Sequence, residues 1–121
     1  MIKFVIQSDC FQKSIPHKYP ELITCEVYLC ILINNEVYFE DPFFSIHEFL
    51  FFIDKWKHMH DCSFIYNSIE TEDNPLLCFN YSNGRYSIKS TWELFRCDIT
   101  YTKTELLDAL QSGLDNWQKT S

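Results

Sequence analysis

Glycine is almost missing from this chain: Gly84 and Gly113 are the two it has in 121 residues. A phosphate-cradling loop needs several glycines to let backbone amides approach the ligand, so nucleotide-binding loops are excluded on this ground. Positive charge is also scarce. Ten Lys plus Arg stand against seventeen Asp plus Glu, for a formal net charge of −7, and the arginines are Arg85 and Arg96 alone. A nucleic-acid binder needs a basic stripe against the phosphate backbone, and this composition provides none. No apolar run approaches the roughly 18–20 residues that span a bilayer. Met1 leads directly into Ile2–Ile6 without a basic region, a long apolar core or a cleavage site, so the expected location is the cytoplasm. There is also no CxxC pair, no GxSxG elbow and no HExxH helix.

Cysteines are present, at Cys10, Cys25, Cys30, Cys62, Cys78 and Cys97, but their spacing is wide and irregular. Cys25, Cys30, Cys78 and Cys97 fall inside apolar strand-like runs, where a free thiol behaves as a small hydrophobe. In a reducing compartment they are expected to stay unpaired. His58, His60, Asp61 and Cys62, downstream of His47, form the one cluster that suggests a metal. Side chains two apart on a helix point to different faces, however, and the cluster reads instead as a helix C-terminus where His and Lys55 and Lys57 meet the negative end of the dipole. No metal and no cofactor is expected.

What the chain has in abundance is apolar surface, 46% hydrophobic and 17% aromatic residues. At this length it can bury roughly two thirds of the surface its unfolded form exposes, which predicts one folded domain over residues 1–121. Ile2, Phe4 and Ile6 alternate as in a half-buried strand. The Asp9–Pro20 stretch reads as a loop. From Glu21 to Ile33 one face carries Ile23, Cys25, Val27, Leu29, Ile31 and Ile33, and Asn34-Asn35 then marks a tight hairpin returning through Val37–Glu40. Asp41-Pro42 is expected to close that strand. Ser45 and Glu48 fit a capping box opening a helix that is apolar over most of its girth. Cys62–Ile69, Pro75–Tyr81, Arg85–Ser90 and Trp92–Tyr101 read as strands, with Asn83-Gly84 as the strongest hairpin turn. Thr102–Glu105 is a second capping box, followed by a stripe of Leu106, Leu107, Leu110, Leu114 and Trp117. Strands, helix, strands, helix is an α+β order: a mostly antiparallel sheet of about six to seven strands with two main helices packed on it.

Acidic side chains concentrate at Glu40-Asp41 and across Glu70, Glu72 and Asp73. The second set falls in a polar connection, a poor place to raise a carboxyl pKa for acid–base catalysis and a good one to meet a basic partner. These five residues are the expected partner-binding set, with no catalytic residue assigned. A different class of function, a small ligand-binding module or enzyme, would use an aromatic-lined pocket built from Trp56, Tyr66 and Trp92 beside Arg96. An adaptor subunit is a third reading.

The hairpin turns, the run Val37-Tyr38-Phe39-Glu40-Asp41-Pro42-Phe43-Phe44-Ser45 entering a Phe-rich helix that ends at Trp56, the strand Phe64-Ile65-Tyr66-Asn67-Ser68-Ile69-Glu70, the segment Asn74-Pro75-Leu76-Leu77-Cys78-Phe79, the return Gly84-Arg85-Tyr86-Ser87-Ile88-Lys89-Ser90 and the closing Leu106-Leu107-Asp108-Ala109-Leu110 together resemble bacterial immunity proteins of polymorphic and contact-dependent growth-inhibition toxin systems. The likeness spans about Val27 to Trp117. It implies a cytosolic antidote that binds one cognate toxin domain, often a basic nuclease such as an RNase or tRNase, and covers its active-site surface. It carries no binding residue over position by position.

Overall fold

A computed structural model describes residues 1–7, 26–68 and 72–119. The expected Asp9–Pro20 loop, Cys10, the start of the second strand at Ile23 and Cys25, and Ile69 and Glu70 lie outside the described residues. Within them the order is β1 (Ile2–Gln7), β2 (Glu26–Ile33), β3 (Glu36–Ser45), α1 (Ile46–Trp56), β4 (Phe64–Tyr66), β5 (Leu77–Ser82), β6 (Arg85–Lys89), β7 (Thr100–Tyr101) and α2 (Lys103–Lys119). The α+β class and antiparallel pairing hold throughout, but the strands form two sheets: a three-stranded sheet in the order β1-β2-β3 and a four-stranded one in the order β4-β5-β6-β7.

Both hairpins form where the asparagines permit positive φ. Asn34 and Asn35 stand at 51° and 68°, and Asn83 and Gly84 at 51° and 80°, so each two-residue turn matches the right-handed twist of its strands. The alternation in β2 is realised: Val27, Leu29, Ile31 and Ile33 are buried on one face, and Tyr28 and Leu32 are half-buried on the other. Strand β3 does not stop at Asp41-Pro42. It continues to Ser45 because it lies at the sheet edge and its register with β2 slips between Val27 and Leu29, and an irregular edge strand tolerates a residue without an N–H.

Of the two capping boxes, the second is formed. Thr102 N–H donates to Glu105 Oε1 at 2.8 Å and Glu105 N–H donates to Thr102 Oγ1 at 3.1 Å. The first is not. Ser45 pairs with Glu26 as the last residue of β3 and makes no side-chain cap, while Glu48 turns into the core and accepts the Tyr66 hydroxyl at 2.8 Å. The end of α1 is closed by Lys103, whose ammonium donates to the carbonyls of Trp56 and Met59 and lies 4.5 Å from the Trp56 ring centroid. His58 and His60 are exposed beyond it.

One hydrophobic cluster runs through both sheets. Its centre is aromatic. Phe49 meets Phe44, Phe64 and Tyr66 at ring separations of 5.3–5.6 Å, and Trp56 meets Phe64, Phe79 and Tyr86 at 5.3–5.6 Å. Edge-on and tilted pairs of this kind add about 0.5–1.5 kcal/mol each beyond the area they bury. Helix α1 is therefore enclosed on several sides, as its apolar girth predicts. Helix α2 packs against β1, where Gly113 lies so close to Phe4 that a Cβ there would stand 2.5 Å from the Phe4 carbonyl oxygen. Among the described residues no helix is long and apolar enough to cross a membrane.

Candidate partner-binding surface

Residues Ser90–Ile99 form no strand. They cross the open side of β3 as an irregular strap, and side chains rather than a backbone ladder hold them there. Ser90 donates its hydroxyl to the Leu76 carbonyl at 2.6 Å and accepts the Trp92 N–H at 3.0 Å. Thr91 donates its hydroxyl to the Pro75 carbonyl at 2.8 Å. Glu93 Oε1 accepts from the Ser90 N–H at 3.2 Å and from the Tyr38 hydroxyl at 2.7 Å, and that hydroxyl also lies 3.2 Å from the Ile88 carbonyl. Burial and the Glu93 carboxylate hold the Tyr38 phenol well above its ordinary range, so it stays a donor. One backbone bond, Leu94 N–H to the Tyr38 carbonyl at 2.8 Å, joins strap to strand. Trp92 stacks on Phe39 with centroids 6.3 Å apart and rings 19° from parallel, and its indole N–H donates to Asp73 Oδ2 at 3.0 Å.

These contacts draw the turn before β5, the strap and the β2–β3 hairpin into one surface. Its acids are Glu36, Glu72, Asp73 and Asp98, all exposed. Arg96 is paired with Asp98 at 3.1 Å. On the strap itself the aliphatic side chain of Leu94 stands uncovered at 62% exposure, whereas Val37, paired with Leu32, faces the other side of the sheet. The expected acidic set is divided by this arrangement. Glu72 and Asp73 lie on the surface, and Asp73 is anchored to it through Trp92. Glu40 is exposed but on the other face of the sheet, where it accepts the Tyr28 hydroxyl. Asp41 is not a surface acid. It is 6% exposed, because it alternates with Glu40 and faces inward opposite Leu29. Burial pushes its carboxyl pKa up, opposed by the Phe43 N–H that Oδ1 accepts at 2.9 Å. Glu70 lies outside the described residues.

Sequence reading passed over Glu36, Glu93, Leu94 and Asp98 as parts of a surface. Their signal, acids and a leucine within an otherwise strand-like run, becomes informative only once the strap is known to lie over β3. The rival aromatic pocket does not assemble. Trp56 and Tyr66 are 2% and 0% exposed within the core, Trp92 stacks on Phe39 in the strap, and Arg96 points to solvent with its side chain 77% exposed. Buried Cys30, Cys78 and Cys97 and exposed Cys62 are free thiols. Among the described residues no group of three or more His, Cys, Asp or Glu side chains is placed to hold a metal ion.

Fold and surface together define a small two-sheet α+β domain with an acidic, partly apolar face. Residues 2–120 match the family described as Domain of unknown function (DUF7878), and the chain belongs to that family. No curated protein and no solved structure matches it.

Proposed function

We propose that this domain works by binding another protein, as a cytosolic antidote that covers the basic active-site surface of a cognate toxin domain, a nuclease of the RNase or tRNase kind. The observation that carries this reading is the strap: Leu94 stands uncovered on a segment held in place by side-chain hydrogen bonds and flanked by the exposed acids Glu36, Glu72, Asp73 and Asp98. Aliphatic contact supplies affinity at the centre of such a face, and the acids around it speed encounter with a basic partner and reject wrong ones. The net charge of −7 acts in the same direction over longer range. The likeness to immunity proteins supports the choice of partner, and binding alone is the activity, without catalysis.

The test is capture of partners from the source organism on the tagged protein, in parallel with a Glu72→Lys/Asp73→Lys variant, at low and raised salt. One basic protein retained by the wild type and lost from the variant is the expected result, with rescue of cells when that protein and this one are coexpressed. Retention that is indifferent to both the charge reversal and the salt would sink the reading.

A further inference from the structure

An open groove lies beyond the acidic part of the strap, between its last residue Ile99, the start of β1, β7 and the first half of α2. It encloses about 760 Å³ and is bordered by Ile2, Lys3, Arg85, Ile99, Tyr101 and Ala109, among others. Ligand-binding clefts fall roughly between 300 and 1,000 Å³. Two features of its walls concern hydrogen bonding. Asn34 N–H donates to the Met1 carbonyl at 2.9 Å, which makes that pair a bonded one. In an antiparallel ladder bonded and non-bonded pairs alternate, so the N–H and C=O of Ile2 and of Phe4, opposite Ile33 and Ile31, point away from β2. At Phe4 the edge is closed by α2 through Gly113. At Ile2 it opens into the groove. The second feature is Tyr101, 3% exposed, whose buried hydroxyl has no hydrogen-bond partner among the described residues.

The opposite wall is already set. Arg85 donates through Nε to Thr100 Oγ1 and through Nη2 to the Thr100 carbonyl, both at 2.8 Å, and stands 3.6 Å from Glu105. Ile2, Ile99 and Ala109 supply an aliphatic bed, with Lys3 and Asp108 at the rim. A strand edge with a free N–H and C=O, an aliphatic bed and a groove of this size are the elements by which proteins take up an extended chain.

We propose that this groove accepts an extended polypeptide segment, which adds beside β1 by pairing with the backbone of Ile2 and seats an aliphatic side chain between Ile99 and Ala109. The site touches the strap at Ile99 alone, uses none of its acids, and does not rest on the antidote reading. The test selects a phage-displayed library of short linear peptides on the wild-type protein and measures each enriched peptide against three proteins by fluorescence polarisation. Binding to wild type and to Glu72→Lys/Asp73→Lys is expected to be equal, and binding to Ala109→Arg, which fills the groove from an otherwise helix-compatible position, at least about tenfold weaker. On the wild type, saturating peptide is expected to slow amide exchange at Ile2 and leave Ile65, on the far edge of the other sheet, unchanged. No enrichment, equal binding to Ala109→Arg, or an Ile2 amide that exchanges as fast with peptide as without it overturns the proposal. The exchange measurement decides it even if Ala109→Arg does not fold.

Discussion

The two outer strands of the three-stranded sheet are covered in opposite ways. Along β1 a helix closes the edge: α2 runs over Phe4, and Gly113 brings its backbone against the strand with no side chain between. Along β3 the Ser90–Ile99 strap does so with one backbone bond and a set of side-chain bonds. Both protect a sheet edge from pairing with other chains. The first buries what it touches, whereas the second leaves Leu94 and its acidic neighbours facing water. An edge covered by an irregular segment therefore keeps side chains facing water, and an edge covered by a close-packed helix does not, except beside Ile2, where a groove opens.

The difference can be broken most forcefully at Gly113. Gly113→Val places a branched side chain against the Phe4 carbonyl, and α2 must move away from β1; the expected loss is about 2–3 kcal/mol, read as a lower urea midpoint. The strap is expected to be cheaper to disturb. Tyr38→Phe removes the hydroxyl that bonds Glu93, with an expected cost of about 1–1.5 kcal/mol and faster amide exchange at Leu94, while exchange at Phe4 is unaffected.

Asp41 sharpens the contrast within β3 itself, between an inward acid and the outward Glu40. Its folded-state pKa is raised by burial, so the folded protein holds the proton more tightly than the unfolded chain does. Its contribution is therefore most favourable below the unfolded carboxyl pKa and declines as pH rises through the folded one. Asp41→Asn keeps an oxygen for the Phe43 N–H, and is expected to raise stability at neutral pH and to remove that decline from a pH series of thermal melts. The smallest effect on stability is expected at Glu72→Lys, within about 0.5 kcal/mol, with a somewhat larger one at Asp73→Lys, which removes the acceptor of the Trp92 indole; together the two are expected to abolish the proposed partner capture.

Much of this was legible in local sequence. Asn34-Asn35 and Asn83-Gly84 named their turns because positive φ is a property of the residues themselves. Thr102–Glu105 named its helix start because a capping box closes within one turn. Ser45–Glu48 has the same spacing, yet Tyr66 competes for Glu48 and β2 for the backbone of Ser45, and both competitors arrive from elsewhere in the chain. Trp92–Tyr101 has the composition of a strand, but β3 offers it little more than the Tyr38 carbonyl, and a strand without a ladder is only an extended segment.

The sequence by itself determined the α+β class, the antiparallel hairpins, the buried thiols of Cys30, Cys78 and Cys97 and the acidic excess, since each follows from periodicity, turn chemistry or composition. Tertiary structure alone decided that the strands divide into two sheets, that Asp41 is buried while Asp73 is held by Trp92, and that Leu94 faces solvent among acids. Each of these depends on which distant backbone lies alongside, and that partner is set by the packing of the whole core rather than by any run of neighbouring residues.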